Sequence, residues 1–153
     1  MRTKKTASIR AAGEQDWPVI ERLLAAAGLP SDDLAARHAG NFLVAVDPDA
    51  PPPGIAGVIG LEGFGRIGLL RSLVVDPAHR GNGIGTELVT ALEERAGEAG
   101  VSELWLLTLD AEVFFWKLDY RIVDRETAPD AIRRTPEFSR LCPATAHLMH
   151  KPL

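Results

Sequence analysis

The chain has 153 residues, a formal net charge of −4 and 46% hydrophobic residues. That length suits one domain with a proper core, and a charge with no basic stripe argues against a nucleic-acid partner. The single cysteine, Cys142, excludes an internal disulfide and fits a reducing, cytoplasmic setting. No apolar run approaches the ~20 residues of a membrane span, and no apolar segment follows the basic start to make a secretory signal.

In chain order, residues 1–6 read as loose and 7–12 as a short first strand. Asp16 is placed to cap a helix from Trp17, with Pro18 tolerated in its first turn. Ile20, Leu23, Leu24 and Ala27 share one face, and Gly28 and Pro30 mark the stop. Ser31-Asp32-Asp33 opens a second, short helix to about His38. The apolar run 42–46 predicts a buried strand. A proline-rich hairpin loop over 47–54 leads to a strand over 55–61. Gly63 and Gly65 then turn the chain into a long strand over 67–75. Loops this short make the three strands an antiparallel meander.

Asp76-Pro77 stops that strand, and glycines follow at 81, 83 and 85. An amphipathic helix begins inside the turn, with Ile84, Leu88, Leu92 and Ala96 on one face. Glycines accept positive φ and let the backbone approach a ligand. The first N–H groups of the helix have no intrahelical partner and, with the helix dipole, attract phosphate. Arg80 adds a full positive charge. A P-loop would need Lys-Ser/Thr where Thr86-Glu87 stands, and a dinucleotide fingerprint needs another glycine spacing. Beyond the helix, 104–108 reads as a parallel strand, 111–118 as a helix and 120–123 as a strand. A helix over 128–134 and a closing strand over 144–149 complete an α/β layer fold.

Arg80-Gly81-Asn82-Gly83-Ile84-Gly85, preceded by Leu73-Val74-Val75-Asp76-Pro77, resembles the acetyl-CoA loop of the GNAT N-acetyltransferases. The block 111–120 resembles the late helix–strand segment of that family, with Asp119 where a glycine is usual and Phe115 where many members carry a catalytic tyrosine. Residues 16–30, 69–75, 106–108 and 128–146 are similar to acetyltransferases associated with arsenic-resistance operons. Those in turn resemble the acetyltransferase domain of N-acetylglutamate synthases.

The resemblance implies a single GNAT domain over 1–153. Its mixed, mostly antiparallel sheet is flanked by helices and splayed between strands 67–75 and 104–108, with acetyl-CoA in the gap. It places the pyrophosphate on the amides of Arg80, Gly81, Asn82, Gly83, Ile84, Gly85 and Thr86. The pantetheine arm would lie along Val75, with Val74 and Leu73 also on the cofactor, and the Leu73 N–H would polarise the acetyl carbonyl. The implied acceptor is the primary amine of a small molecule, an amino acid or amino-acid-like toxicant, attacking directly in a ternary complex. The implied protein is a monomer or homodimer. The alternatives are a catalytically silent acyl-CoA-binding module, an acetyltransferase of protein or peptide amines, and a phosphate-binding domain for another nucleotide.

Attack on a thioester needs a neutral amine and therefore a base. Glu62, at the end of strand 55–61, is the first candidate; a solvated hairpin-end charge is its plain alternative. Tyr120, the sole tyrosine, is either the acid or a packing residue. Arg71 and Ser72 precede Leu73 inside an apolar strand, so Arg71 is a candidate carboxylate or oxyanion clamp for the acceptor, or a snorkelling edge residue. His147 and His150 lack companion ligands, so no metal site is expected. His79 is read as a surface residue beside the glycine turn, Cys142 as structural, and Trp105 and Trp116 as core or cleft wall. Phe42 and His38 are candidates to approach the acceptor.

Overall fold

A computed structural model of the chain describes residues 7–153, so the loose start expected for 1–6 lies outside the described residues. The elements are β1 (Ser8–Ala11), α1 (Trp17–Ala26), β2 (Phe42–Val46), β3 (Ile55–Phe64), β4 (Ile67–Val75), α2 (Ile84–Glu98), β5 (Glu103–Thr108), α3 (Glu112–Lys117), β6 (Arg121–Val123), α4 (Asp130–Arg133) and β7 (His147–Pro152). Seven strands form an open, mostly antiparallel sheet in the order β1-β2-β3-β4-β5-β7-β6, flanked by helices. The chain divides into two compact units. One comprises residues up to Gly60 with Ser72–Leu92, and the other Leu61–Arg71 with Glu93–Leu153.

In the first unit, β1 pairs antiparallel with β2 from Ser8↔Val46 to Ala11↔Leu43. β2 pairs antiparallel with β3, with a register shift between Ala45 and Val46. The core gathers Trp17, Ile20 and Leu24 of α1 against Phe42, Val44, Ile55, Val58 and Val74, with Trp17 edge-on to Phe42 at 6.0 Å. Full burial of side chains of this size is worth roughly 1.5–3 kcal/mol each. Gly57 sets where α2 begins: a Cβ there would lie 3.0 Å from Leu88 and from the Val74 carbonyl, and 3.3 Å from Ile84. Only a bare backbone lets the start of α2 sit this closely on β3.

Two expectations change here. Asp16 does not cap α1. Its carboxylate accepts the Gly13 N–H at 2.8 Å, closing the preceding 3-10 turn, and takes two bonds from Arg10. Arg10 and that N–H together hold the Asp16 carboxyl below the usual carboxylate range. The short helix expected from Ser31 starts later, as a 3-10 helix over Ala36–Asn41. The His38 Nδ1 accepts the Ala35 N–H at 2.9 Å and fixes that start. α1 itself ends at Ala26 and leaves Ala27 exposed, with Gly28 at φ 69° closing it.

In the second unit, β4 runs parallel to β5 over Ile67↔Glu103, Gly68↔Leu104 and Leu69↔Trp105, where the ladder stops. β5 continues against β7 as far as Thr108↔His147. β7 also pairs antiparallel with β6, and its ladder with β5 carries the closing strand expected over 144–149 through Pro152. Leu69, Trp105, Ala128, Ile132 and Leu148 form the core. A π-helical turn over Glu137–Leu141, which no sequence pattern announced, follows α4. No helix among the described residues is long and apolar enough to cross a membrane.

Candidate functional site

The glycine turn belongs to the first unit. The Asp76 N–H donates to the Ala56 carbonyl at 2.8 Å, which anchors the end of β4. The Asp76 carboxylate accepts the Ala78 N–H, and the His79 N–H returns to the Asp76 carbonyl at 2.8 Å, so Asp76-Pro77 stops the strand by opening a 3-10 turn. Gly81 and Gly83 take φ 85° and 78°, conformations that L side chains resist. The Glu87 N–H makes the first helical bond, 3.0 Å to the Gly83 carbonyl. The amides of Ile84, Gly85 and Thr86 therefore have no intrahelical acceptor. Ile84 is buried and pins the helix start, whereas Arg80, Gly81, Asn82, Gly83 and Thr86 are exposed. Asn82 donates its side-chain amide to the His79 carbonyl at 3.3 Å. His79, read as a surface residue, instead sits 3.0 Å from an Asp47 oxygen and 3.5 Å from an Asp76 oxygen. Accessible amides on a left-handed turn, beside an exposed arginine at a helix N-terminus, fit a diphosphate group.

A second constellation lies in the other unit. Arg71 of β4 is buried, its side chain 1% exposed. Its Nη1 donates to the Glu62 Oε1 at 2.6 Å, and its Nε lies 3.5 Å from the Glu137 Oε1. A guanidinium stays charged in a protein, so its burial requires carboxylates. Glu137 is itself buried. The π turn places it: the Cys142 N–H reaches back five residues to the Glu137 carbonyl at 2.8 Å. The buried Thr135 hydroxyl donates to the Ile132 carbonyl and accepts the Phe138 N–H, seating the start of that turn. The sequence joined Glu62 to Arg71 only as separate candidates and did not select Glu137. A glutamate between a proline and a phenylalanine carries no local sign of burial.

Ser72, next to Arg71, is buried and takes φ 59° within β4. A left-handed residue inside a strand marks an irregularity that re-aims the chain on either side of it. The half-buried Leu73 follows at once, so the backbone is turned immediately before the N–H expected to do chemistry.

Tyr120 joins a different trio. It is fully buried, and its hydroxyl donates to the Glu93 Oε2 at 2.9 Å; the Lys151 Nζ meets the same oxygen at 2.8 Å. Burial first, then the Glu93 charge and this bond, push the phenol well above its ordinary range, so it stays protonated. Phe115 packs edge-on to Tyr120 at 5.5 Å. Asp119 takes φ 74°, so it preserves the left-handed turn that a glycine gives without strain.

Of the remaining candidates, Trp105 is buried with its Nε1–H on Glu103 at 2.8 Å, and Trp116 is exposed under the Arg121 guanidinium. Phe42 is core. Cys142 is half-buried. Among the described residues, no group of three or more metal-ligating side chains converges.

An open mixed sheet whose central strand runs through a glycine turn into a helix defines an α/β protein with accessible backbone amides at that turn. The profile of the acetyltransferase (GNAT) family matches residues 10–120, and the chain belongs to that family. An uncharacterized N-acetyltransferase of Chlorobaculum tepidum is 36% identical over 69 residues, which is 45% of this chain and 44% of that protein. The chain thus matches less than half the length of this curated relative. Among solved structures, N-acetylglutamate synthase from Neisseria gonorrhoeae, complexed with coenzyme A and N-acetyl-glutamate, superposes with a TM-score of 0.82 at 21% identity over 99% of this chain and 36% of that one. Rv2747 from Mycobacterium tuberculosis, in complex with CoA and NLQ, gives 0.81 at 23% identity over 95% and 99% of the two chains. Likeness at these identities establishes the fold.

Proposed function

We propose that this chain is an acetyl-CoA-dependent N-acetyltransferase that moves acetyl to the primary amine of a small molecule, an amino acid or an amino-acid-like toxicant. The observation that carries this reading is the turn from Arg80 to Thr86. Its left-handed glycines, its amides without intrahelical acceptors and its exposed arginine suit the diphosphate of acetyl-CoA. Family membership and neighbours solved with coenzyme A support the same ligand. The N-acetyl-glutamate in one neighbour supports an amino-acid acceptor. The resemblance of 16–30, 69–75, 106–108 and 128–146 to arsenic-associated acetyltransferases supports a toxicant.

In this reading the amine nitrogen attacks the thioester carbonyl carbon, and the Leu73 N–H donates to the oxygen as negative charge develops there. Glu62 takes the amine proton, the C–S bond breaks, and sulfur leaves as the thiolate of CoA. A thiolate leaves tolerably near neutral pH, so Phe115 in the usual tyrosine position is compatible with turnover. For Tyr120 to act as an acid, its hydroxyl would have to leave Glu93. Val74 and Val75 carry the pantetheine arm, and Ser72 sets their direction. The protein works in the cytoplasm as a monomer or homodimer.

Phe115 also favours a second reading, an acyl-CoA-binding module without turnover. Calorimetric titration tests the turn directly: CoA should bind, and neither ATP nor NAD should displace it at equal concentration. Equal competition by either nucleotide would assign the turn to another ligand. If Glu62 is the base, Glu62→Gln lowers turnover most at low pH, where little amine is already neutral. A pH profile identical to that of the parent enzyme would remove Glu62 from that role.

A further inference from the structure

Arg71 stands two residues before Leu73, the proposed oxyanion donor, and the sequence offers it as a carboxylate or oxyanion clamp for the acceptor or as a snorkelling edge residue. The side chains around it carry a different message. Its guanidinium already meets two carboxylates of its own chain, Glu62 at 2.6 Å and Glu137 at 3.5 Å. One buried positive charge thus faces two negative ones. A substrate carboxylate brought to Arg71 would be the third anion on a single cation, in a setting too dry to screen the repulsion. Glu62 makes its contact through Oε1, and its side chain is 22% exposed whereas that of Arg71 is 1% exposed. The accessible part of the cluster is therefore the Glu62 side chain, and an approaching ligand meets that glutamate before it meets guanidinium.

We infer that the Glu62–Arg71–Glu137 cluster selects acceptors against negative charge: it receives the ammonium end of a neutral or cationic amine and disfavours a carboxylate, with Glu137 as the residue that sets this preference. The inference rests on the acetyltransferase reading and specifies its acceptor. Glu137 is assigned as a positioning residue that acts through Arg71. It acts by occupying the Nε side of Arg71 and by adding the second negative charge. Remove that charge, and the carboxylate charges facing Arg71 fall from two to one.

The test compares kcat/KM for glutamate, glutamine and glutaminamide, three amines of nearly equal size that lose one negative charge at each step. The parent enzyme should favour them in rising order, glutamate least. Glu137→Gln should raise the glutamate-to-glutamine ratio roughly tenfold, the size expected of one unit charge several ångströms away at an intermediate dielectric, and Glu137→Asp should restore most of the parent ratio. A purely structural glutamate would change all three rates together and leave the ratios alone. Glutamate preferred by the parent enzyme, or ratios unmoved in an active Glu137→Gln, overturns the inference while leaving the acetyltransferase reading intact. No thiol release with any amine overturns both. If Glu137→Gln does not fold, the order of the three acceptors in the parent enzyme decides on its own.

Discussion

The glycine turn and the Arg71 cluster are two kinds of site made by different means. The turn is local and built from backbone: residues 80–86 are contiguous, most are exposed, and what they offer is amides aimed by two positive φ angles. The cluster is assembled from side chains at positions 62, 71 and 137, is largely buried, and depends on charges balancing one another. A site made of backbone survives most side-chain changes and is sensitive to those that alter φ. A site made of buried charge depends on its one cation, because losing Arg71 leaves both carboxylates uncompensated. The difference also divides the chemistry. The turn suits a group common to a whole family, and the cluster suits one acceptor.

The largest effect should come from breaking the cluster. Arg71→Met leaves Glu62 and Glu137 without their cation and should cost about 3–5 kcal/mol in urea denaturation; a loss under ~1 kcal/mol would show that the two carboxylates do not depend on it. Next come changes at the turn, which should act mainly on ligand and leave the domain folded. Gly83→Val forces a β-branched residue to φ 78°, at a strain of about 1–3 kcal/mol, and should weaken CoA binding more than tenfold by calorimetry. Arg80→Ala, at an exposed position, should weaken CoA roughly tenfold for one charge-assisted bond and shift stability by no more than ~0.5 kcal/mol. Unchanged affinity in both variants would remove the diphosphate from this turn.

Two smaller effects sharpen the contrast. The Asp16 carboxyl titrates below its unfolded range because of Arg10 and the Gly13 N–H. The stability it supplies is complete above the unfolded value near pH ~4 and is lost as pH falls from there through its lower folded value. Asp16→Asn should therefore be less stable than the parent at neutral pH and converge with it in acid; a constant gap at all pH would assign the loss to packing. Asp119→Gly relieves a left-handed conformation held by a non-glycine residue and should raise thermal stability by about 0.5 kcal/mol, the strain relieved less the extra chain entropy of glycine. A decrease would mean that the Asp119 side chain itself holds the turn.

These two regions also mark how far the sequence could be read. β4 was legible from end to end, because an apolar β-branched run is bounded by the Gly63 and Gly65 turn and by Asp76-Pro77. The turn was legible because glycine spacing, Arg80 and the helix periodicity sit side by side. Arg71 announced itself as a charge in an apolar strand. Glu137 did not, since its burial is decided by a π turn and by an arginine 66 positions earlier. Asp16 carried a cap signature before a helix, yet its side chain went to Gly13 and Arg10, a competition between local bonds that composition cannot rank. The extent of β7 was misjudged for a related reason: its length is set by pairing with β5 rather than by its own residues.

The most direct test of acetyl transfer is release of free thiol from acetyl-CoA over a panel of amines. The panel would hold acidic, neutral and basic amino acids, amino-acid-like arsenicals and phosphonates, aminoglycosides, polyamines and short peptides. Release with a neutral or basic amino acid, or an analogue of one, and little with glutamate, is the predicted result. Tight CoA binding in the same sample with no release from any amine would contradict it and leave an acyl-CoA-binding module.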